Sequence, residues 1–95
     1  MDAERQLRPE DAVEINPNYH FRWEEPQQAH VLLYPEGIVK LNETAAAILE
    51  ACTGSASIAE GAAELARRYN ERNVGAEVLK FLEVAHAKGW IRIKS

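Results

Sequence analysis

Hydrophobic and polar residues alternate with a period of two near the beginning of the chain. Between residues 19 and 24, aromatic side chains alternate with polar ones, which predicts a half-buried strand. A second apolar and aromatic run follows over residues 30–34. The sequence Pro35-Glu36-Gly37 then predicts a turn into a third strand over residues 37–41. The second and third strands are therefore expected to pair as a hairpin.

Three helices are predicted after these strands, because the spacing of the apolar residues changes to three and four. Asn42 is suited to cap the first helix, since its side-chain oxygen can accept a hydrogen bond from a free backbone amide. Ser57 and Glu60 have the spacing of a capping box and begin the second helix. The third helix is predicted over residues 74–88. Alternation returns over residues 90–93 and predicts a short terminal strand.

The predicted fold class is α+β, with a three-stranded N-terminal sheet, a three-helix bundle and a short terminal strand. Three short helices followed by a strand resemble a winged helix-turn-helix. Residues 1–18 mix charged residues with prolines and asparagines without a sustained period, which predicts a flexible or loosely docked N-terminal arm. Residues 19–95 are predicted to form a single domain, because a chain of 95 residues cannot bury two cores.

Composition and charge exclude several classes of protein. The formal net charge is −4, which is unfavourable for binding the phosphates of nucleic acid. The apolar runs are far shorter than the ~20 residues that a membrane-spanning helix needs, and the N-terminus lacks the pattern of a signal peptide. The single cysteine fits a reducing compartment. The sequence therefore predicts a cytoplasmic protein without a membrane span.

The residues that could carry catalysis are few. The three histidines lie in different predicted elements without ligand-like spacing, and the chain has no CxxC or HExxH motif, so no metal site is expected. Cys52 is interpreted as a small buried core residue, because no histidine is placed by sequence to activate it. A glycine-rich phosphate loop is absent as well. The sequence predicts no enzyme, no catalytic residue and no cofactor.

Two kinds of binding module remain. A winged helix-turn-helix places its last helix in the major groove of DNA, and the outer face of that helix should be basic. Here that face carries two acidic and two basic residues, namely Glu77, Lys80, Glu83 and Lys88. Attraction to phosphates would nearly cancel, so DNA binding is the less favoured alternative. The other kind of module captures a peptide by adding it as a strand to the edge of a sheet.

The predicted peptide site lies in a groove between the third strand and the third helix. Its candidate residues are Gly37, Ile38, Val39, Lys40, Leu41, Val78, Leu79, Leu82 and His86. Periodicity alone also permits a different interpretation, in which the apolar members of this set are ordinary core residues. The sequence pattern leaves both interpretations open.

Two long segments resemble a known family. The runs Phe21-Arg22-Trp23-Glu24-Glu25 and His30-Val31-Leu32-Leu33-Tyr34-Pro35-Glu36-Gly37-Ile38-Val39-Lys40-Leu41-Asn42 are similar to the PqqD family of pyrroloquinoline quinone biosynthesis. Further similarity lies in Val78-Leu79-Lys80-Phe81-Leu82 and Lys88-Gly89-Trp90, so that the resemblance covers about residues 17–93. Thr53 departs from the family, which typically has aspartate before the glycine. This difference affects the end of a helix and not the predicted groove.

The resemblance implies a non-catalytic peptide chaperone. Members of the family bind a ribosomal precursor peptide and present it to a radical S-adenosylmethionine enzyme, which crosslinks a glutamate and a tyrosine of the peptide. Related precursor-peptide recognition elements bind the peptide along their third strand against the third helix, which here are residues 37–41 and 74–88. The sequence leaves open whether a homodimer forms, which part of the peptide is bound and which surface contacts the enzyme.

Overall fold

The computed structural model describes residues 6–69 and 74–94 of the chain. In this part of the chain, the elements are β1 (Val13–Ile15), β2 (His20–Glu24), a 3-10 turn (Glu25–Gln27), β3 (Ala29–Tyr34), β4 (Gly37–Lys40), α1 (Glu43–Thr53), α2 (Ile58–Tyr69), α3 (Val74–Ala87) and β5 (Ile91–Ile93). The predicted α+β class, with its three-stranded sheet, three helices and terminal strand, is confirmed. The sequence also predicts a short connection between the second and third helices over residues 70–73, and this segment lies outside the described residues.

The three-stranded sheet is antiparallel and has the order β2-β3-β4. A row of directly opposite residues, Phe21, Leu32 and Val39, crosses it on the face that packs against the helices. Leu32 at the centre of this row is fully buried, and its two neighbours are partly buried. The two-residue turn Pro35-Glu36 joins the hairpin, because Tyr34 stands opposite Gly37 in the register. The strand order places β4 at the edge of the sheet, with β3 as its one neighbour in this sheet.

The helices begin and end largely where the sequence places their boundaries. The Asn42 side chain accepts a hydrogen bond of 2.7 Å from the Ala45 amide at the start of α1. At the start of α2, the Ser57 hydroxyl accepts a bond of 3.1 Å from the Glu60 amide. The Glu60 carboxylate accepts its own bond from the Ala56 amide rather than from that of Ser57, so the capping box is displaced by one residue.

A second, two-stranded sheet joins the two ends of the chain. β1 and β5 are antiparallel, with Val13 opposite Ile93 and Ile15 opposite Ile91. Val13 is fully buried, and Leu7 before it is only 3% exposed. The sequence predicts β5 but not its partner, because β1 lies in a segment of mixed charged residues, prolines and asparagines that shows no sustained period.

Residues 6–18 are docked on the helices and on β5, which differs from the flexible or loosely docked arm that the sequence predicts. The carbonyl of Asp11 accepts a hydrogen bond from the Ile58 amide, and that of Pro9 accepts one from the Ala59 amide, both at 2.8 Å. These two donors belong to the first turn of α2, where a helix leaves its own amides unpaired. The first five residues of the predicted arm lie outside the described part of the chain.

Candidate functional site

β4 has one side of its backbone unpaired. The Leu41 amide donates to the His30 carbonyl of β3 at 3.0 Å. This bond fixes which way the backbone N–H and C=O groups of the preceding β4 residues point. Because alternate residues of an antiparallel strand face opposite neighbours, Val39 faces β3, whereas Ile38 and Lys40 direct their N–H and C=O groups outward. Within the described residues, no backbone partner is found for these four groups. We call these four backbone groups, together with the side chains of Ile38 and Lys40, the β4 edge.

The same two residues project their side chains to the sheet face that points away from the core. Ile38 is 46% exposed, and Lys40 is exposed as well. Val31 lies opposite both Arg22 and Lys40 in the register and is fully buried. The β4 edge thus combines unpaired backbone with one apolar and one cationic side chain.

Three of the predicted helix residues are inaccessible. Val78 is 1% exposed and Leu82 is fully buried, and both belong to the hydrophobic core. His86 is a buried polar residue at 7% exposure. Val78 and Leu82 pack α3 against the core in this structure, and a role of these three residues in the groove stays a prediction.

Leu79 is accessible but lies elsewhere. It lines a hollow of about 490 Å³ together with Pro9, Ile58 and small residues of α2 and α3, such as Ala62 and Ala76. A second hollow of about 360 Å³ lies between the three helices, with Ile48 among its lining residues. Neither hollow is lined by a residue of β4. Leu79 therefore faces α2 at a hollow that β4 does not line, and its place in a peptide groove stays a prediction.

Trp23 is an exposed aromatic residue that sequence reasoning places on the half-buried face of its strand. Its side chain is 45% exposed, and its ring stands edge-on to His30 at 5.3 Å between centroids. The indole N–H donates to the Glu25 carboxylate at 2.9 Å, and this bond, with a second from Gln28, lowers the pKa of Glu25. Exposed tryptophans are enriched at protein interfaces. The alternating pattern alone does not predict the exposure of Trp23, because it does not show that the core ends before this residue.

Among the residues that the structure describes, no three histidine, cysteine, aspartate or glutamate side chains lie close enough to hold a metal ion. In the same residues, no helix has the length and apolar character required to cross a membrane.

Cys52 is fully buried, and burial raises the pKa of its thiol to about 11. Because the thiolate is the reactive form, we expect iodoacetamide to leave the folded protein unmodified at pH 8 and to alkylate Cys52 only in denaturant, as measured by mass spectrometry. The contribution of Cys52 to the free energy of unfolding should be constant below the ordinary thiol pKa of 9.0 and fall as pH rises from there through about 11. Rapid labelling of the folded protein would contradict the burial of this thiol.

Comparisons with known proteins agree with this architecture. The sequence profile of the family described as coenzyme PQQ synthesis protein D (PqqD) matches residues 29–91. A PqqA binding protein of Methylococcus capsulatus is 44% identical over 86 residues, which cover 90% of this chain and 92% of the relative. A PqqA binding protein of Azotobacter vinelandii is 46% identical over 84 residues, covering 87% of this chain and 91% of the relative.

A solved structure has the same fold. It is the solution NMR structure of the PqqD truncation of Methylobacterium extorquens PqqCD, described as a functional and stand-alone RiPP recognition element. The TM-score is 0.75 at 24% identity, and the match covers 96% of this chain and 98% of the other. The family profile spans the hairpin, all three helices and the start of β5, and the relatives match over most of their length. The chain therefore belongs to the PqqD family.

Proposed function

We propose that this protein is a non-catalytic peptide chaperone of pyrroloquinoline quinone biosynthesis. It binds a PqqA-type precursor peptide as an additional strand on the β4 edge and presents it to a radical S-adenosylmethionine enzyme in the cytoplasm. The names of the relatives, PqqA binding proteins, support the choice of peptide. The observation that carries the mode of binding is the unpaired backbone of Ile38 and Lys40 at the edge of the sheet.

Strand addition suits a flexible guest. Ordering a disordered peptide costs about 2–5 kcal/mol, which the interface must offset. Backbone hydrogen bonds at the β4 edge form with any peptide sequence, whereas neighbouring side chains provide selectivity. We expect a free energy of binding of about −8 to −10 kcal/mol, which corresponds to micromolar affinity or somewhat better and allows the peptide to be passed on.

DNA binding is the weaker candidate. The exposed positions of α3 include the acidic Glu77 and the basic Lys80. The helix therefore lacks the uniformly basic face that a DNA-reading helix needs. None of the relatives reported above is named as a DNA-binding protein. A peptide partner is therefore the better interpretation of the fold.

Proline at position 40 provides the test of the proposed function. Lys40→Pro removes an outward N–H and places a ring where the guest strand would lie, while an edge strand tolerates proline at such a position. The loss of one hydrogen bond together with the clash should weaken binding of a synthetic PqqA peptide at least about tenfold in isothermal titration. Lys40→Ala is the matched control, because it removes the charge but keeps the amide, and its loss should be clearly smaller.

Two results would overturn the proposal. One is a folded Lys40→Pro variant, verified by circular dichroism, that binds the peptide as tightly as the unmodified protein. The other is a stable dimer in light scattering that Lys40→Pro dissociates and the peptide does not. In that case a second copy of the chain, and not a peptide, covers the β4 edge.

A further inference from the structure

The β4 edge presents two different side chains on one face. Ile38 and Lys40 are two residues apart, so both point away from the core and stand about 7 Å apart along the strand. Ile38 is one of the large hydrophobic residues that are exposed in the described part of the chain, at 46%. An added strand would cover this apolar side chain and bring its own residues beside the lysine. The guest strand must therefore carry one residue that suits the apolar Ile38 and another that suits the cationic Lys40.

The charge of Lys40 is not compensated within the described residues. Arg22, the other cation in this row of the sheet, has the Glu24 carboxylate at 4.0 Å. Lys40 forms no ion pair within 4 Å in the part of the chain that the structure describes. Oppositely charged side chains that stand directly opposite on neighbouring strands attract each other, whereas like charges repel. A guest residue opposite Lys40 is thus favoured when it is a carboxylate.

The direction of the guest follows from the sheet. β2, β3 and β4 are antiparallel throughout, and antiparallel pairing is slightly more stable per residue than parallel pairing. In an antiparallel guest, the residue opposite Lys40 comes first, and the residue opposite Ile38 comes two positions later, on the same face.

We infer that the segment bound at the β4 edge carries an aspartate or glutamate opposite Lys40 and an apolar residue two positions closer to its C-terminus, opposite Ile38. Lys40 then selects the register of the guest as well as adding affinity, because a shift by one residue turns the carboxylate to the other face. This inference rests on the proposed strand addition and specifies which sequences the edge accepts.

A double-mutant cycle tests this pairing. Synthetic PqqA peptides with each carboxylate replaced singly by its amide are titrated against the unmodified protein and against Lys40→Met, which keeps the apolar stem of the side chain. One replacement should weaken binding to the unmodified protein about two- to fivefold and leave binding to Lys40→Met unchanged. Replacing the apolar residue two positions later by alanine should weaken binding to the unmodified protein, and Ile38→Ala should abolish that difference. Lys94→Met, an exposed lysine next to β5, is the matched control and should behave like the unmodified protein.

The outcomes separate this inference from the proposed function. If the peptide binds and Lys40→Pro weakens binding, but no carboxylate couples to Lys40, the pairing is overturned and strand addition stands. The pairing is also overturned if the coupled carboxylate has no apolar residue two positions later. If the peptide does not bind, or Lys40→Pro binds it normally, both the pairing and the proposed function fail.

Discussion

Replacing Leu82 by glutamate is expected to unfold the protein. Leu82 is fully buried in the core, where a carboxylate would lose its hydration without a cation placed to receive it. The lost apolar contacts add to this cost, so the free energy of unfolding should fall by about 4 kcal/mol or more. A domain of this kind is stable by only about 5–15 kcal/mol. Thermal unfolding followed by circular dichroism should show a lost or strongly lowered transition.

Val84→Glu is the matched control for this prediction. Val84 lies two residues further along α3 and is 46% exposed, so the same change of side chain should alter the free energy of unfolding by less than about 1 kcal/mol. The opposite result for Leu82→Glu, a normal melting temperature with weakened peptide binding, would return Leu82 to the peptide site that the sequence suggests.

The two halves of the predicted site were not equally accessible to sequence reasoning. The strand half rests on a general property, because a small sheet of three strands must leave two edges, and the observed order β2-β3-β4 makes β4 one of them. The helix half depends on where the core ends around α3. Periodicity places Leu82 at one margin of the apolar stripe and Leu79 just beyond that margin, but it cannot tell which element faces it. In the structure that element is α2 and not β4.

The fold itself was predictable wherever a local signal exists. The alternation around Phe21, the turn at Pro35-Glu36 and the cap at Asn42 each have a local physical cause, and each is found in the structure. β1 has no such signal, because its three residues acquire their conformation from a partner at the other end of the chain. The hydrogen bonds of the Pro9 and Asp11 carbonyls have no local signal either, because the amides that donate to them belong to α2. Long-range pairing of this kind leaves no period in the sequence.

Gly61→Ala is the second change for which a large loss of stability is expected. α1 and α2 cross closely at this position: a Cβ on Gly61 would lie 2.8 Å from both the Cα and the Sγ of Cys52, and 3.1 Å from the carbonyl oxygen of Ala51. Because two of these three atoms are backbone, a side-chain rotation cannot relieve the clash and the helices must move apart. The free energy of unfolding should fall by about 1–3 kcal/mol, although alanine favours a helix by up to about 1 kcal/mol over glycine. For a domain of this size, each kcal/mol lowers the melting temperature by about 4–8 °C.

Gly75→Ala separates the clash from the intrinsic preference of alanine for a helix. Gly75 lies in the first turn of α3, and a Cβ there would meet no atom within 4 Å among the described residues. This variant should therefore be as stable as the unmodified protein or slightly more stable. If both variants gain stability equally, the close crossing of α1 and α2 at Cys52 is not real. If Gly61→Ala alone loses stability, the reason for a glycine in the first turn of α2 is the backbone of α1, and the adjoining thiol of Cys52 is kept from solvent by the same contact.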